Sequence, residues 1–285
     1  MGKKYILTDE TTTLNSGIVL HRIKAIRSFN DVNEGDLGGW IEKEDNLSHD
    51  GDCWVYDSAT VYDSATVYGN ARILNNALIF GDAIVCDNAA VFDNAEIYGN
   101  AEIIDNATVY SHAKVHGNAR IFDNAMIFGH AYVCDNAAVF DNAKIYGNAE
   151  IINNSKIYGN TKIYGNAYVY GHAKIYGNAE IYGNATIYDH VKVFGNARVY
   201  GNAEIVDNAV IQSDKDYIVF KNWWSSGRYF TWTRSNNMWR VGCFYGNGNE
   251  LIKKAYKDSE ISGIEYERIV KYAESILKAK KNKIF

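Results

Sequence analysis

Proline is absent from all 285 residues. Proline has no backbone N–H and interrupts any ladder it enters. A chain without it suits a backbone in which nearly every amide donates to a neighbouring segment. Cysteine is scarce: Cys53, Cys86, Cys134 and Cys243 form no CxxC pair and no short framework. That argues for reduced thiols and a cytoplasmic setting. No apolar run approaches membrane-spanning length, so no membrane partner is expected. Lys3 and Lys4 precede only the three-residue apolar run from Tyr5, which is not a secretory leader. The net charge of −5 excludes a globally basic nucleic-acid binder but leaves room for a local basic stripe. A nucleophile–base spacing, a phosphate loop and a metalloprotease signature are all missing.

What fills the chain instead is a beat of six. Residues 55–210 divide into 26 hexads without an insertion. The first position is Ile or Val throughout, the second usually Tyr or Phe, the third mostly Gly or Asp, and the fourth mostly Asn. The fifth is Ala except at Ser155, Thr161 and Val191. Read across the hexad boundary this is small-in, out, apolar-in, out, the alternation of a strand with one buried face. Four strand residues then meet a two-residue corner of Gly-Asn or Asp-Asn. Both corner residues are expected to help there, since Gly and Asn tolerate the left-handed region. A row of Ile and Val on such short strands is buried only if successive coils stack.

This frame resembles the hexapeptide-repeat proteins, whose consensus has an aliphatic residue first and a small residue fifth. The resemblance implies a mainly β fold, a left-handed parallel β-helix of triangular section with three hexads per coil. On that basis the array makes between eight and nine coils, about 40 Å long at roughly 4.8 Å per stacked strand. The second position, aromatic here where the family often has Gly, points outward and lays Tyr and Phe ladders on the flanks. The segment from Ser28 to Glu42, with Gly51 to Ala59, is similar to the amino-terminal part of the YdcK family, bacterial hexapeptide-repeat proteins labelled acetyltransferases largely by fold.

Three units are expected: an N-terminal β cap at 1–46, the β-helix at 47–212 and a C-terminal α+β unit at 213–285. In the cap, 5–7 and 18–26 read as strands around the Asn15-Ser16-Gly17 turn, and Trp40 and Trp54 suit a plug for the open end of the core. In the C-terminal unit, 217–221, 229–233 and 238–244 read as three strands, dense in Trp223, Trp224, Trp232 and Trp239. Two helices follow at 250–257 and 264–280. The second has Ile269, Val270, Ala273, Ile276 and Leu277 on one face and a capping box from Ser262 and Glu265. This unit is similar to tails of repeat proteins from gut bacteria and their phages. Inside the array, the segment from Ala71 is echoed at Ala119, an offset of eight hexads. Eight is not a multiple of three, so each copied residue lands on a different flank. Much of the flank is therefore scaffold.

Stacking by eighteen aligns Phe92, Tyr110, Phe128, Tyr146, Tyr164, Tyr182 and Tyr200 on one flank. Phe122, Phe140, Tyr158, Tyr176 and Phe194 align on another, beside Arg120, Lys156, Lys174 and Lys192, with Ala138 interrupting. The remaining flank is broken at His116, Cys134 and Ile152. A basic column beside an aromatic one can stack bases and neutralise phosphates. It is also what a soluble β surface does when aromatics pair and lysines keep it in solution. An apolar surface of that length favours a homo-oligomer, a dimer or trimer. His112 with His130, and His172 with His190, replace corner Asn one coil apart. Each pair could bind a metal, but a full site needs three or four ligands. The related carbonic anhydrase-like helices use three His across a subunit interface, and no third ligand stands here. The fold's acyltransferases usually carry a general-base His on a loop extruded between coils. This array has no such loop, and His21 and His49 lie unmarked in the cap.

These readings favour a non-enzymatic scaffold or binding protein without a cofactor. One version is a phage-type effector that captures a host protein or nucleotide through Arg120, Lys156, Tyr158, Lys174, Tyr176, Lys192 and Phe194. The alternatives are an acetyl-CoA-dependent acyltransferase and a self-assembling rod.

Overall fold

In the computed structural model, which describes residues 2–281, the hexads wind into a three-sided parallel β-solenoid. Strands eighteen residues apart pair in register, as Ile97 with Val115 and Ile103 with Ile121. Three sheets result, named here by their first repeat residue. The Val55 and Val67 faces have nine strands each, and the Val61 face belongs to a sheet of twelve. The Ile/Val column and the Ala column fill the interior, essentially without solvent exposure. Of the three fifth-position exceptions, Ser155 donates to the Ile152 carbonyl at 2.8 Å, whereas the buried Thr161 hydroxyl has no partner.

The amides of the second, fourth and sixth positions donate to the next coil, as Tyr62 to Ile79, Ser58 to Asn75 and Thr60 to Ala77 at 2.9–3.1 Å. The ladder itself covers only two residues per hexad rather than four, because the corner begins directly after the aromatic. The corner differs from expectation in a second way. Only its third-position residue takes positive φ, Gly at 69–78° and Asp, Asn or Ser at 51–62°. The Asn that follows is not selected for backbone freedom. Its amide bonds the same residue one coil on, as in the run Asn100, Asn118, Asn136, Asn154 at 2.9–3.3 Å. Where the third residue is Asp, its carboxylate accepts the N–H of the next coil's corner, as Asp141 does from Gly159 at 2.8 Å.

The stack is longer than 26 hexads allow, about ten turns rather than eight to nine. β1 (Tyr5–Thr13) and β2 (Val19–Ala25) form an antiparallel hairpin, and β2 pairs with β3 (Leu37–Ile41). β3 then pairs in parallel with Thr60–Val61, making a rung of the Val61 face. Leu47 bridges to Val67. These contacts span twenty residues instead of eighteen, so two extra residues ahead of Val55 hide the first coil from the hexad frame. Trp54 plugs the end of the core, edge-on to Tyr5 at 6.1 Å and Phe29 at 5.4 Å. Trp40 does not. It precedes Ile41 in the outward sixth position and lies half-buried under the Arg22 guanidinium, 5.3 Å from its ring.

At the other end four antiparallel strands close the stack, Tyr217–Lys221, Tyr229–Thr233, Met238–Val241 and Phe244–Gly246. The run at 238–244 is two strands, folded at Gly242 with φ +54°. The Thr231 and Ser235 hydroxyls accept the amides of Glu204 and Val210 at 2.9 and 2.7 Å. Two helices cover this sheet, α1 (Gly248–Asp258) and α2 (Glu260–Lys281). Phe230, Trp232, Trp239, Leu251 and Val270 form their shared core. The capping box belongs to Asn247 and Glu250 of α1. Ser262 lies inside α2, and its N–H is taken by Ser259 at 3.1 Å.

A Cβ added at Gly129 would lie 2.9 Å from the Gly147 nitrogen, whereas one at Gly201 meets nothing within 4 Å. Gly201→Ala is expected to cost only the left-handed penalty, about 1–2 kcal/mol. Gly129→Ala should cost more, and Gly129→Asp less than Gly129→Ala, because Asp regains an acceptor for the next amide. Urea denaturation midpoints of the three variants check that order.

Candidate binding faces

The expected aromatic columns form. On the Val67 face Phe122, Phe140, Tyr158, Tyr176 and Phe194 stack with centroids 4.7–5.0 Å apart and planes within 6°. The column from Phe92 to Tyr200 on the Val55 face stacks likewise. The spacing is that of the strands beneath. Each ring therefore spends its faces on its neighbours and shows solvent an edge and, in Tyr, a hydroxyl. A base slipped between two rings would need roughly twice the 3.4 Å stacking distance, which this ladder does not provide.

Lys156, Lys174 and Lys192 occupy the sixth position of consecutive strands beside that ladder, paired residue to residue and exposed. Arg120 stands in the same column, two strands from Lys156. Ala138 separates it from Lys156, its Nε holds Glu102 at 2.7 Å, and its guanidinium lies 5.6 Å from the Phe122 ring. Most other strand cations of the solenoid are also neutralised: Arg72 by Asp31, Lys114 by Glu96, Lys162 by Glu180 and Arg198 by Asp214, at 2.7–3.1 Å. Among the described residues no ion pair engages the three stacked lysines or Lys144, which stands opposite the Glu180-paired Lys162. Like charges directly opposite each other on a sheet are destabilising. The corner that precedes the lysines brings a single carboxylate, Asp189 before Lys192, and the corner that follows offers no relief. Asp87, Asp105, Asp123 and Asp141 line its first half, but Gly159, Gly177 and Gly195 stand beside the lysines.

The histidine pairs form as stacked imidazoles, His112 on His130 and His172 on His190, each 4.9 Å between centroids. Among the described residues no group of three or more His, Cys, Asp and Glu could hold a metal. His172 and His190 sit at the corner two residues before Lys174 and Lys192. His21 and His49 serve the cap. His21 Nδ1 lies 3.3 Å from the Thr8 carbonyl, and the His49 ring lies 4.3 Å from Tyr5. Cys86 and Cys134, the copied cysteines, fall on the Val67 and Val61 faces respectively, and no two cysteines are joined.

The Val61 face departs from expectation. His116 does not break its ladder but continues Tyr62, Phe80 and Tyr98, lying 4.5 Å from Tyr98 with planes 4° apart. The gap is Cys134 and Ile152, after which Tyr170 and Tyr188 resume. Two tyrosines that the repeat pattern did not single out lean into that gap. Tyr132 meets His116 edge-on, its hydroxyl bonded to Nε2, and Tyr168 tilts onto Tyr170 at 4.8 Å. The signal was present: beyond Trp54, these are the aromatic sixth positions of the array. On the other side of the Tyr132–Glu150 column, toward the preceding corner, a groove of about 560 Å³ is lined by His112, Lys114, His130, Tyr132, Asn148 and Glu150.

Burial lowers the His116 pKa below the ordinary histidine value, with Asp135 opposing and Lys114 reinforcing the shift. The unfolded chain therefore takes up the proton first as pH falls, and stability drops through the ordinary histidine range. His116→Phe keeps a ring on Tyr98 and removes the titration. The variant should lose less stability than the parent between pH 7 and 5, read from denaturant midpoints.

No protein-family model matches the chain. Over 62 residues it is 39% identical to a protein of Escherichia coli (strain K12) named uncharacterized acetyltransferase YdcK. The match covers 19% of this chain and 19% of that protein. Among the described residues no helix is long and apolar enough to cross a membrane. The unbroken six-residue repeat, its stack of about ten turns and this local similarity together fit a hexapeptide-repeat β-helix protein.

Proposed function

We propose that the chain is a non-enzymatic β-helical binding scaffold that offers the Val67 face to an anionic partner. One observation carries the reading: Lys156, Lys174 and Lys192 are stacked on consecutive strands and enter no ion pair among the described residues, on a rod that pairs most of its other strand cations. An arrangement that costs the free protein stability is relieved when a ligand supplies the opposite charge. Recognition runs through charge and the neighbouring Tyr158 and Tyr176 hydroxyls rather than through base stacking, since the ring faces are taken.

The reading makes a direct forecast. Polyaspartate, polyphosphate and a single-stranded oligonucleotide, labelled and followed by fluorescence anisotropy, should bind with a steep salt dependence. The triple variant Lys156→Glu, Lys174→Glu, Lys192→Glu should bind at least tenfold more weakly. Lys144→Glu, on the Val55 face, should leave binding unchanged. Equal binding by parent and triple variant would remove the proposal.

The second reading, an acetyl-CoA-dependent acyltransferase, is favoured by the name of the E. coli relative alone. Against it, the parallel register runs from Val55 to Ile211 without an extruded loop to carry a general base. Calorimetry with acetyl-CoA is expected to show no heat at high protein concentration. Heat together with acetyl transfer to an amine would favour the enzyme instead.

A further inference from the structure

The strand glutamates mirror the lysine pattern. Glu96, Glu102, Glu180 and Glu204 are held by Lys114, Arg120, Lys162 and Arg240 at 2.7–3.1 Å. Glu150 is exposed and takes part in none of the ion pairs among the described residues. Its strand neighbours in the same outward column are Tyr132 on one side and Tyr168 on the other. The three stand where the Val61 ladder is interrupted by Cys134 and Ile152.

We infer that Tyr132, Glu150 and Tyr168 form a binding site for an organic cation, an alkylammonium or guanidinium group. Two features argue for this class. A carboxylate flanked by aromatic rings joins a full negative charge to the negative faces of the rings, the pairing that selects weakly hydrated cations. These tyrosines also differ from the ladder tyrosines in having Lys114, Glu150 and Thr186, not rings, as strand neighbours in their own column. They do not stack along it; each meets the neighbouring ladder on one side only, Tyr132 edge-on to His116 and Tyr168 tilted onto Tyr170. Lys114, which lines the same groove, is already neutralised by Glu96 at 3.0 Å. The cation could be a free amine or an Arg or Lys side chain on a protein. The site is separate from the lysine column, which lies on another face.

NMR titration of the full chain with ethylguanidinium, tetramethylammonium and spermidine tests the site. Saturable shifts confined to Tyr132, Glu150, Tyr168 and their neighbours are expected, at low-millimolar concentration for one exposed contact. Glu150→Gln should weaken binding at least fivefold, and Tyr132→Leu with Tyr168→Leu should do the same without the charge change. Glu180→Gln, which loses a paired carboxylate, should have no effect. An Arg-bearing pentapeptide that binds tenfold more tightly than ethylguanidinium identifies a protein side chain as the occupant; equal affinity identifies a free amine. Unsaturable shifts, or binding indifferent to Glu150→Gln, overturn the site.

Discussion

Every part of the rod depends on one repeated hydrogen bond, from an outward-facing residue's amide to a carbonyl one coil further on. It fixes the eighteen-residue register, and the register fixes everything stacked upon it. Interior Ile and Val form columns because their strands are in register. Corner amides chain together, rings stack and lysines align for the same reason. The ladder also explains why proline is missing, since three amides of each hexad donate between coils. Side-chain chemistry on such a rod is not set one residue at a time. A single substitution is read against the residues above and below it.

That periodicity made the solenoid legible. Period two at the strand and a small fifth residue pointed to stacked coils; the three faces of Val55, Val61 and Val67 followed from the hexapeptide-repeat resemblance, and the structure has them. The first coil was not legible because the spacing from Leu47 to Val55 carries two residues more than a hexad, and a frame read by sixes cannot see across it. The C-terminal strands at 238–244 were misjudged for a related reason. The hairpin there is made by a glycine at positive φ inside an otherwise extended run. The corner residues were assigned to the right place but given the wrong roles. Composition showed Asn at the fourth position, and only geometry showed that it is an amide chain rather than a backbone hinge.

The candidate sites were legible to different degrees. A lysine column can be counted from sequence by eighteens. Its lack of ion pairs cannot, because pairing depends on which neighbours stand across the strand and at the corner. The Val61 notch was half-visible, as a gap in the aromatic column. What fills it comes from the next column over, which a column-by-column reading keeps apart. In repeat architectures the departures from the beat carry the specific chemistry, and their meaning is settled laterally, between columns.

The two ends of the rod bear on assembly. A naked stack of parallel strands ends in rows of unpaired amides and carbonyls, ready to template another stack. Here an antiparallel hairpin covers the lower edge of the Val61 sheet, and its outermost strand is polar, with Asp9, Glu10 and a run of threonines. Among the last amides above, the Thr231 and Ser235 hydroxyls take those of Glu204 and Val210, and Asp214 and Tyr217 take those of Arg198 and Tyr200. A second rod arriving end-on would meet a polar edge strand or a helix-covered antiparallel sheet instead of a bare parallel stack.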